Sequence, residues 1–221
     1  MNQAVVITGA NRGIGLSLTK HYQAKGCRVY ALCRQSSVEL AQSGADVIEN
    51  IDMGKDSVIE RLKESFNGVK IDLLINNAGI LRNEVLGQID LDSLREQFEV
   101  NTLGPLRAVE ALKDNFATGS KVAMITSRMG SIADNTSGGR YGYRMSKAAL
   151  NIASVSIAHD LEAAGVSVAI IHPGLVGTDM IGGYGDITPD QAAERIAQRI
   201  EELTMQTSGS FWHSNGDLLP W

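Results

Sequence analysis

Val5-Val6-Ile7-Thr8-Gly9-Ala10-Asn11-Arg12-Gly13-Ile14-Gly15 runs an apolar strand straight into a glycine-rich turn. A helix follows at once: Ile14, Leu18 and Tyr22 recur every four residues, and Gly26 supplies its stop. A short, wholly apolar strand suits a sheet buried on both faces. Strand, turn and helix in that order aim backbone N–H groups outward at a helix N-terminus, where phosphate binds. Glycines there let the backbone approach a pyrophosphate closely. A glycine turn alone is weak evidence. Its placement between strand and helix is what favours a dinucleotide.

Outward from this unit, strands and helices alternate. Arg28–Leu32, Val47-Ile48, Ile71–Ile75, Lys121–Ile125, Val166–Ile171 and Ser210–Trp212 read as six further strands. Between them come a short helix capped by Ser36 or Ser37 and stopping at Gly44, then one opened by a Ser57–Glu60 capping box with the apolar stripe Val58, Ile59, Leu62 and Phe66. A long helical segment spans Asp90 to Asn115, with Leu94, Phe98, Leu103, Leu106, Val109 and Leu112 on its buried side and Gly104-Pro105 disturbing it near Asn101. Another carries Tyr143 and Lys147 and ends at Gly165. A last one starts at Thr188-Pro189-Asp190-Gln191. Such alternation predicts an α/β fold with a Rossmann-type, doubly wound, mostly parallel seven-stranded sheet and helices on both faces. No linker interrupts it, so residues 1–221 are expected to form a single domain. Leu218, Leu219 and Trp221 are expected to pack as a terminal clamp.

Composition narrows the function. With 43% apolar residues the chain can bury a sizeable core, and its net charge of −5 argues against a nucleic-acid binder. No charged n-region precedes a long apolar stretch, and no apolar run approaches the roughly 20 residues that span a bilayer. Cys27 and Cys33 lie up to roughly 20 Å apart if a strand joins them, too far for a disulfide. Free thiols suit a reducing cytoplasm. No Cys/His cluster has metal-site spacing.

After the second strand, the position where an acid would hold the 2′-hydroxyl of NAD reads Cys33-Arg34. A guanidinium suits a 2′-phosphate, and Arg12 adds a second cation, so NADP(H) is expected over NAD(H). Tyr143 and Lys147 fall on one helix face, a turn apart. An ammonium near a phenol favours the phenolate and lowers its pKa from about 10, which would make the pair a proton donor and acceptor. Tyr141 lacks that partner: Met145 stands four positions on. Asn101, beside the proline kink, either satisfies freed backbone groups or holds a water. His172 reads as structural. The segment Ile181–Asp186 holds three glycines and can serve as a lid.

The motifs Thr8–Gly15, Asn76-Asn77-Ala78-Gly79, Asn101, Ser127, Tyr143 with Lys147, and Pro173-Gly174 with Thr178 together resemble the short-chain dehydrogenase/reductase family. They appear in the family's order across the whole chain. The short length, Cys33-Arg34 and the Leu-Pro-Trp ending are similar to the small carbonyl-reductase branch that includes C-factor-like proteins. The resemblance implies that Gly9, Gly13, Gly15 and the backbone of Asn11 to Ile14 hold the pyrophosphate. It places Asp52 at the adenine amino group with Met53 beside the ring. Asn77 and Ala78 would line the ribose, with Gly79 allowing close approach, while Pro173, Gly174, Val176 and Thr178 would embrace the nicotinamide. Ser127 would bind a carbonyl oxygen that Tyr143 protonates. Lys147 would hold the ribose and lower the tyrosine pKa, and Asn101 would hold a relay water. The implied activity is hydride transfer between nicotinamide and a carbonyl or alcohol, in a homodimer or homotetramer. The alternative is a regulatory dinucleotide binder with vestigial catalysis.

Two departures stand out. The Ser127–Tyr143 loop is a few residues longer than the family's common spacing, and the Thr178–Thr188 segment is short. Met129, Tyr141, Leu175, Ile181 and Tyr184 either line an apolar pocket or pack ordinarily.

Overall fold

A computed structural model describes residues 3–221. Seven strands form one sheet in the order β3-β2-β1-β4-β5-β6-β7, and every neighbouring pair is parallel. They are β1 (Ala4–Thr8), β2 (Arg28–Leu32), β3 (Asp46–Ile48), β4 (Ile71–Asn76), β5 (Phe116–Ile125), β6 (Ser167–His172) and β7 (Phe211–His213). The helices are α1 (Gly13–Ala24), α2 (Val38–Ala41), α3 (Val58–Ser65), α4 (Leu91–Phe98), α5 (Gly104–Leu112), α6 (Tyr141–Asp160) and α7 (Pro189–Glu202). The doubly wound α/β architecture expected above is the one observed.

Alternation along each strand divides the core in two. Val6, Leu74, Val122, Met124 and Val168 face α3, α5 and α6, where Leu62, Phe66, Leu112 and Leu150 meet them. Val5, Ile7, Leu73, Ile75 and Ala123 face α1, α2 and α7, against Leu18, Leu40 and Ile196. A side-chain period of two puts successive residues on opposite faces, so continuous apolar strands serve two helix layers at once. Strand order reverses between β1 and β4. A crevice opens there beyond the strands' C-terminal ends, the place where such sheets bind ligands.

Several local details depart from expectation. Ser57 gives no capping box, because its own backbone is already helical (φ −59, ψ −15). The capping box at Thr188 and Gln191 forms as expected, and Ser37 caps α2 through a 3.1 Å bond from Leu40 N. The helix carrying Tyr143 ends at Asp160; a 3-10 turn then leads to Gly165 at φ 69. The long helical segment is not one helix. Between α4 and α5 lies a π-helical turn, Glu99–Leu103. Pro105 has no N–H to give the carbonyl one turn back, so the ladder widens there. The Arg107 guanidinium takes up the slack, donating to Glu99 O (3.1 Å) and Met53 O (3.2 Å) and pairing with Glu99 and Asp56. The inward position on α4 belongs to Gln97, fully buried, while Phe98 is 38% exposed. At the C-terminus Trp221 stacks on Phe211 and Leu219 joins the core, but Leu218 is exposed, so the clamp is partial.

Candidate active site

A cleft of about 480 Å³ occupies the crevice, lined along one wall by the glycine turn and at its far end by Tyr143 and Lys147. The turn is welded to β4. Thr8 Oγ1 accepts from Asn77 N (3.0 Å) and Ala78 N (3.1 Å), and Asn77 Nδ2 donates to Thr8 O and Gly9 O. Asn77 therefore spends its amide on the scaffold. Gly9 (φ 68) and Gly13 (φ 52) hold the turn's left-handed positions. Gly15 is there for contact: a Cβ on it would lie 2.2 Å from Gly9 O. The N-terminus of α1 carries no acid in its first turn and no side-chain cap from Arg12. That uncompensated positive end is a fit for a phosphate anion.

Cys33, Arg34, Asp52 and Met53 line the opposite end. Asp52 Oδ1 accepts from Gly54 N at 3.1 Å. Met53 is fixed by Arg107 at its carbonyl and packs so near Gly104 that a Cβ there would lie 3.1 Å from it. The two predicted phosphate-binding cations differ. Arg12 Nη1 lies 3.6 Å from Asp179 Oδ2, both side chains well exposed. Arg34 is exposed and makes no ion pair among the described residues.

The far end is built on α6. Glu84, only 3% exposed, reaches its first turn: Gly142 N donates to Glu84 Oε2 (3.2 Å), and Arg140 N donates to Glu84 O (2.8 Å). Ser93 and Gln97 satisfy the other carboxylate oxygen. A buried carboxylate at a helix N-terminus is stabilised by donors and by the dipole together. Tyr143 follows directly. Lys147, 4% exposed, donates to Ile125 O at 2.9 Å and sits 5.8 Å from the Tyr143 ring centre. Ser127 closes the group as the cap of a 3-10 turn, accepting from Met129 N at 3.1 Å. Gly130 permits that turn to touch α6: a Cβ there would meet the Lys147 backbone at 2.7 Å.

One electrostatic expectation is corrected. The Tyr143 phenol is pushed up, not down, because burial dominates; Ser127 and Arg140 oppose the shift, and Lys147 is not among its causes. Lys147 is itself lowered to about 8 by burial. At neutral pH the phenol thus keeps its proton, as a proton donor should.

Other expected site residues fall outside the cleft lining, the buried Ser127 among them. Asn101 is fully buried, with Nδ2 donating to Ile80 O (2.8 Å) and Ser146 Oγ (3.0 Å) and Oδ1 accepting from Ile80 N (2.8 Å). Both its donors are spent, on a neighbouring loop and not on its own kinked helix. Gly174 (φ 98) packs on Ile187, and the buried Val176 bridges to Ile187; both shape the loop that carries Pro173 and Thr178 to the cleft. That loop also secures the 181–187 segment, through Gly177 N to Ile187 O (3.0 Å) and Asp186 N to Leu175 O (2.8 Å). Leu175 and Tyr184 are exposed.

A model of the short chain dehydrogenase family matches residues 3–189. The chain belongs to the short-chain dehydrogenase family. Over 223 aligned residues it is 42% identical to 1-hydroxy-2-glutathionyl-2-methyl-3-butene dehydrogenase of Rhodococcus sp., covering 98% of this chain and 99% of that one. It is 41% identical over 154 residues to C-signal of Myxococcus xanthus, covering 68% of this chain and 93% of that one. The structure of an NADPH-bound carbonyl reductase from chicken fatty liver superimposes with a TM-score of 0.87 at 28% identity, over 100% of this chain and 99% of that one. As a member of that family the protein is an oxidoreductase. Among its described residues no helix is long and apolar enough to cross a membrane.

His172 is structural in this dehydrogenase, as expected. Burial first, then the neighbouring His213 ring, lowers it to about 3. Sequence reasoning missed Thr8 as the clasp of the turn, Glu84 as the anchor of α6, and Ile51, Ile80, Val100 and Met180 as cleft lining. A carboxylate in a loop reads as solvated, so nothing local marked Glu84.

The buried Lys147 ammonium makes a measurable prediction. Its pKa falls from 10.5 to about 8 on folding. Between those values the unfolded chain binds a proton that the folded chain has released, so stability rises with pH. Below about 8 both states are protonated and the burial cost is felt in full. Wild type should gain about 3 kcal/mol relative to Lys147→Met between pH 8 and 10.5. Urea unfolding of both proteins across that range checks it. Parallel pH profiles would show that the amine is not desolvated.

Proposed function

We propose that this dehydrogenase reduces a carbonyl compound, or oxidises the corresponding alcohol, with NADP(H) preferred over NAD(H). The observation that carries the reading is the juxtaposition of Tyr143 and Lys147 at one end of a cleft, with Ser127 buried behind the phenol, while the other end holds an unpaired Arg34 and no acid at the ribose position. The glycine turn and the open N-terminus of α1 would hold the pyrophosphate. Asp52 and Met53 would meet the adenine, Ala78 and Gly79 the ribose, and Pro173 and Thr178 the nicotinamide side. When bound, the cofactor supplies the hydride. Ser127 would donate a hydrogen bond to the substrate oxygen and Tyr143 would give it a proton. Lys147 would bind the nicotinamide ribose, and Asn101 positions the Ile80 loop against α6. The name of the Rhodococcus relative supports an alcohol or carbonyl at this end, and the NADPH of the chicken structure supports the cofactor. A single domain, a homodimer or homotetramer and a cytoplasmic setting belong to the same proposal.

The test is a screen of aldehydes and ketones that follows NADPH oxidation, repeated with NADH and with Arg34→Ala. NADPH should be favoured. Loss of Arg34 should weaken NADPH use by roughly tenfold to hundredfold, the worth of a charge-assisted bond, and leave NADH nearly unaffected. Preference for NADH in the wild type would refute the cofactor assignment. NADPH binding without turnover of any carbonyl would favour the regulatory alternative.

A further inference from the structure

Gly142 and Ser146 stand one residue before Tyr143 and Lys147, and each is held from behind by a buried amide. Those amides, Gln97 and Asn101, lie four positions apart, and both are fully buried. Asn101 ties Ser146 Oγ to the Ile80 backbone. Gln97 reaches Gly142 through Glu84. Its Nε2 donates to Glu84 Oε1 at 2.5 Å, and Glu84 Oε2 accepts from Gly142 N at 3.2 Å. On its other side Gln97 Oε1 accepts from Arg82 N at 3.0 Å, and Arg82 lines the cleft. The packing is tight: a Cβ on Gly142 would overlap Gln97 Nε2.

The first N–H groups of a helix have no partner within it, and an end left so frays first. Arg140, the residue before α6, supplies no side-chain cap. Glu84 supplies one from 58 residues away, while its carbonyl holds Arg140 N at 2.8 Å. Among the described residues Glu84 is the one buried carboxylate. Burying such a charge is unfavourable unless donors surround it, and here Ser93 Oγ completes the set at 2.8 Å. Tyr143 is the third residue of the helix so capped. A proton donor on a fraying turn loses its aim, and a misplacement of about 1 Å costs about a hundredfold in rate.

We propose that Glu84 and Gln97 are positioning residues for the proton transfer: together they hold the first turn of α6 so that the Tyr143 phenol meets the substrate oxygen. This rests on the reading of Tyr143 as the proton donor. Neither side chain touches substrate or cofactor.

The test is the rate of NADPH oxidation with an aldehyde that wild type reduces, 4-nitrobenzaldehyde being the first probe. Rates are taken per bound NADPH, so that unfolded molecules do not count. Glu84→Gln leaves N–H facing N–H at Gly142 or at Gln97, and Gln97→Glu sets carboxylate against carboxylate. Each should lower kcat by roughly tenfold to hundredfold, with the aldehyde KM and the NADPH Kd within about threefold of wild type. Both substitutions together again oppose donor to acceptor at every contact, since the Ser93 hydroxyl can accept as well as donate. That exchange should bring kcat back to within about threefold of wild type. Should neither single variant fold, Glu84→Asp, which keeps the charge and shortens its reach by one methylene, is held to the same criterion. Single variants with wild-type kcat per site overturn the proposal. So does an exchange that regains the melting temperature but not kcat, because the bonds would then serve folding alone. If wild type reduces no aldehyde or ketone at all, the carbonyl reading itself has failed, and the proposal falls with it.

Discussion

Tyr143→Phe should reduce turnover by about 10²–10⁴-fold, the usual worth of a positioned general acid, while NADPH affinity stays near the wild-type value. The substitution removes one oxygen and keeps the ring. Among the described residues no hydrogen bond of the fold uses that oxygen, and Ser127 is the polar neighbour that opposes the rise of the phenol. Thermal stability should hold, since the change leaves no cavity and removes only one oxygen from a half-buried ring at the cleft wall. Direction matters too. Because burial raises the phenol, reduction finds its proton donor charged with a proton at neutral pH, whereas oxidation of an alcohol needs the phenolate and should improve as pH rises. Single-turnover measurement of NADPH oxidation, with cofactor affinity from fluorescence, checks both halves. Turnover by Tyr143→Phe at the wild-type rate would remove Tyr143 from the mechanism.

Gly15→Ala should fail at the level of folding. The new methyl would lie 2.2 Å from Gly9 O, 2.6 Å from Asn77 Nδ2 and 2.9 Å from Gly9 C. None of these can step aside: Gly9 O and Asn77 Nδ2 are bonded to each other, and Asn77 N is bonded to Thr8. Relief would require parting β1 from β4 at the crevice. Overpacking of this kind costs about 3 kcal/mol or more, a fall in melting temperature of about 6–12 °C for a chain this size. Any folded fraction should lose NADPH binding, because the turn has opened. Gly26→Ala is the control. No atom lies within 4 Å of that Cβ, so only the strain of φ 77 remains, about 1–2 kcal/mol, with cofactor binding intact. Equal melting temperatures for the two variants would refute the contact argument.

Much of the site was legible because its signals are short-range. The apolar runs at Val5–Ile7 and Leu73–Ile75, the glycine turn between strand and helix, and the four-residue spacing of Tyr143 and Lys147 each follow from backbone periodicity. Periodicity is a property of the chain before it folds, and the order of motifs then fixed the family. Missing an acid after β2 was equally local, which is why the cofactor expectation could be framed at all.

The tertiary structure decided what depends on which groups meet. It turned Asn77 and Asn101 inward to other backbones, gave Arg12 an acidic neighbour and left Arg34 and Arg140 without one. It brought Glu84 from a distant loop to the start of α6, and it raised the Tyr143 phenol that spacing alone had led one to expect lowered. Burial, ion pairing and hydrogen-bond satisfaction are sums over all neighbours within a few ångströms. Sequence lists the members of those sums; only the folded chain assigns them their distances.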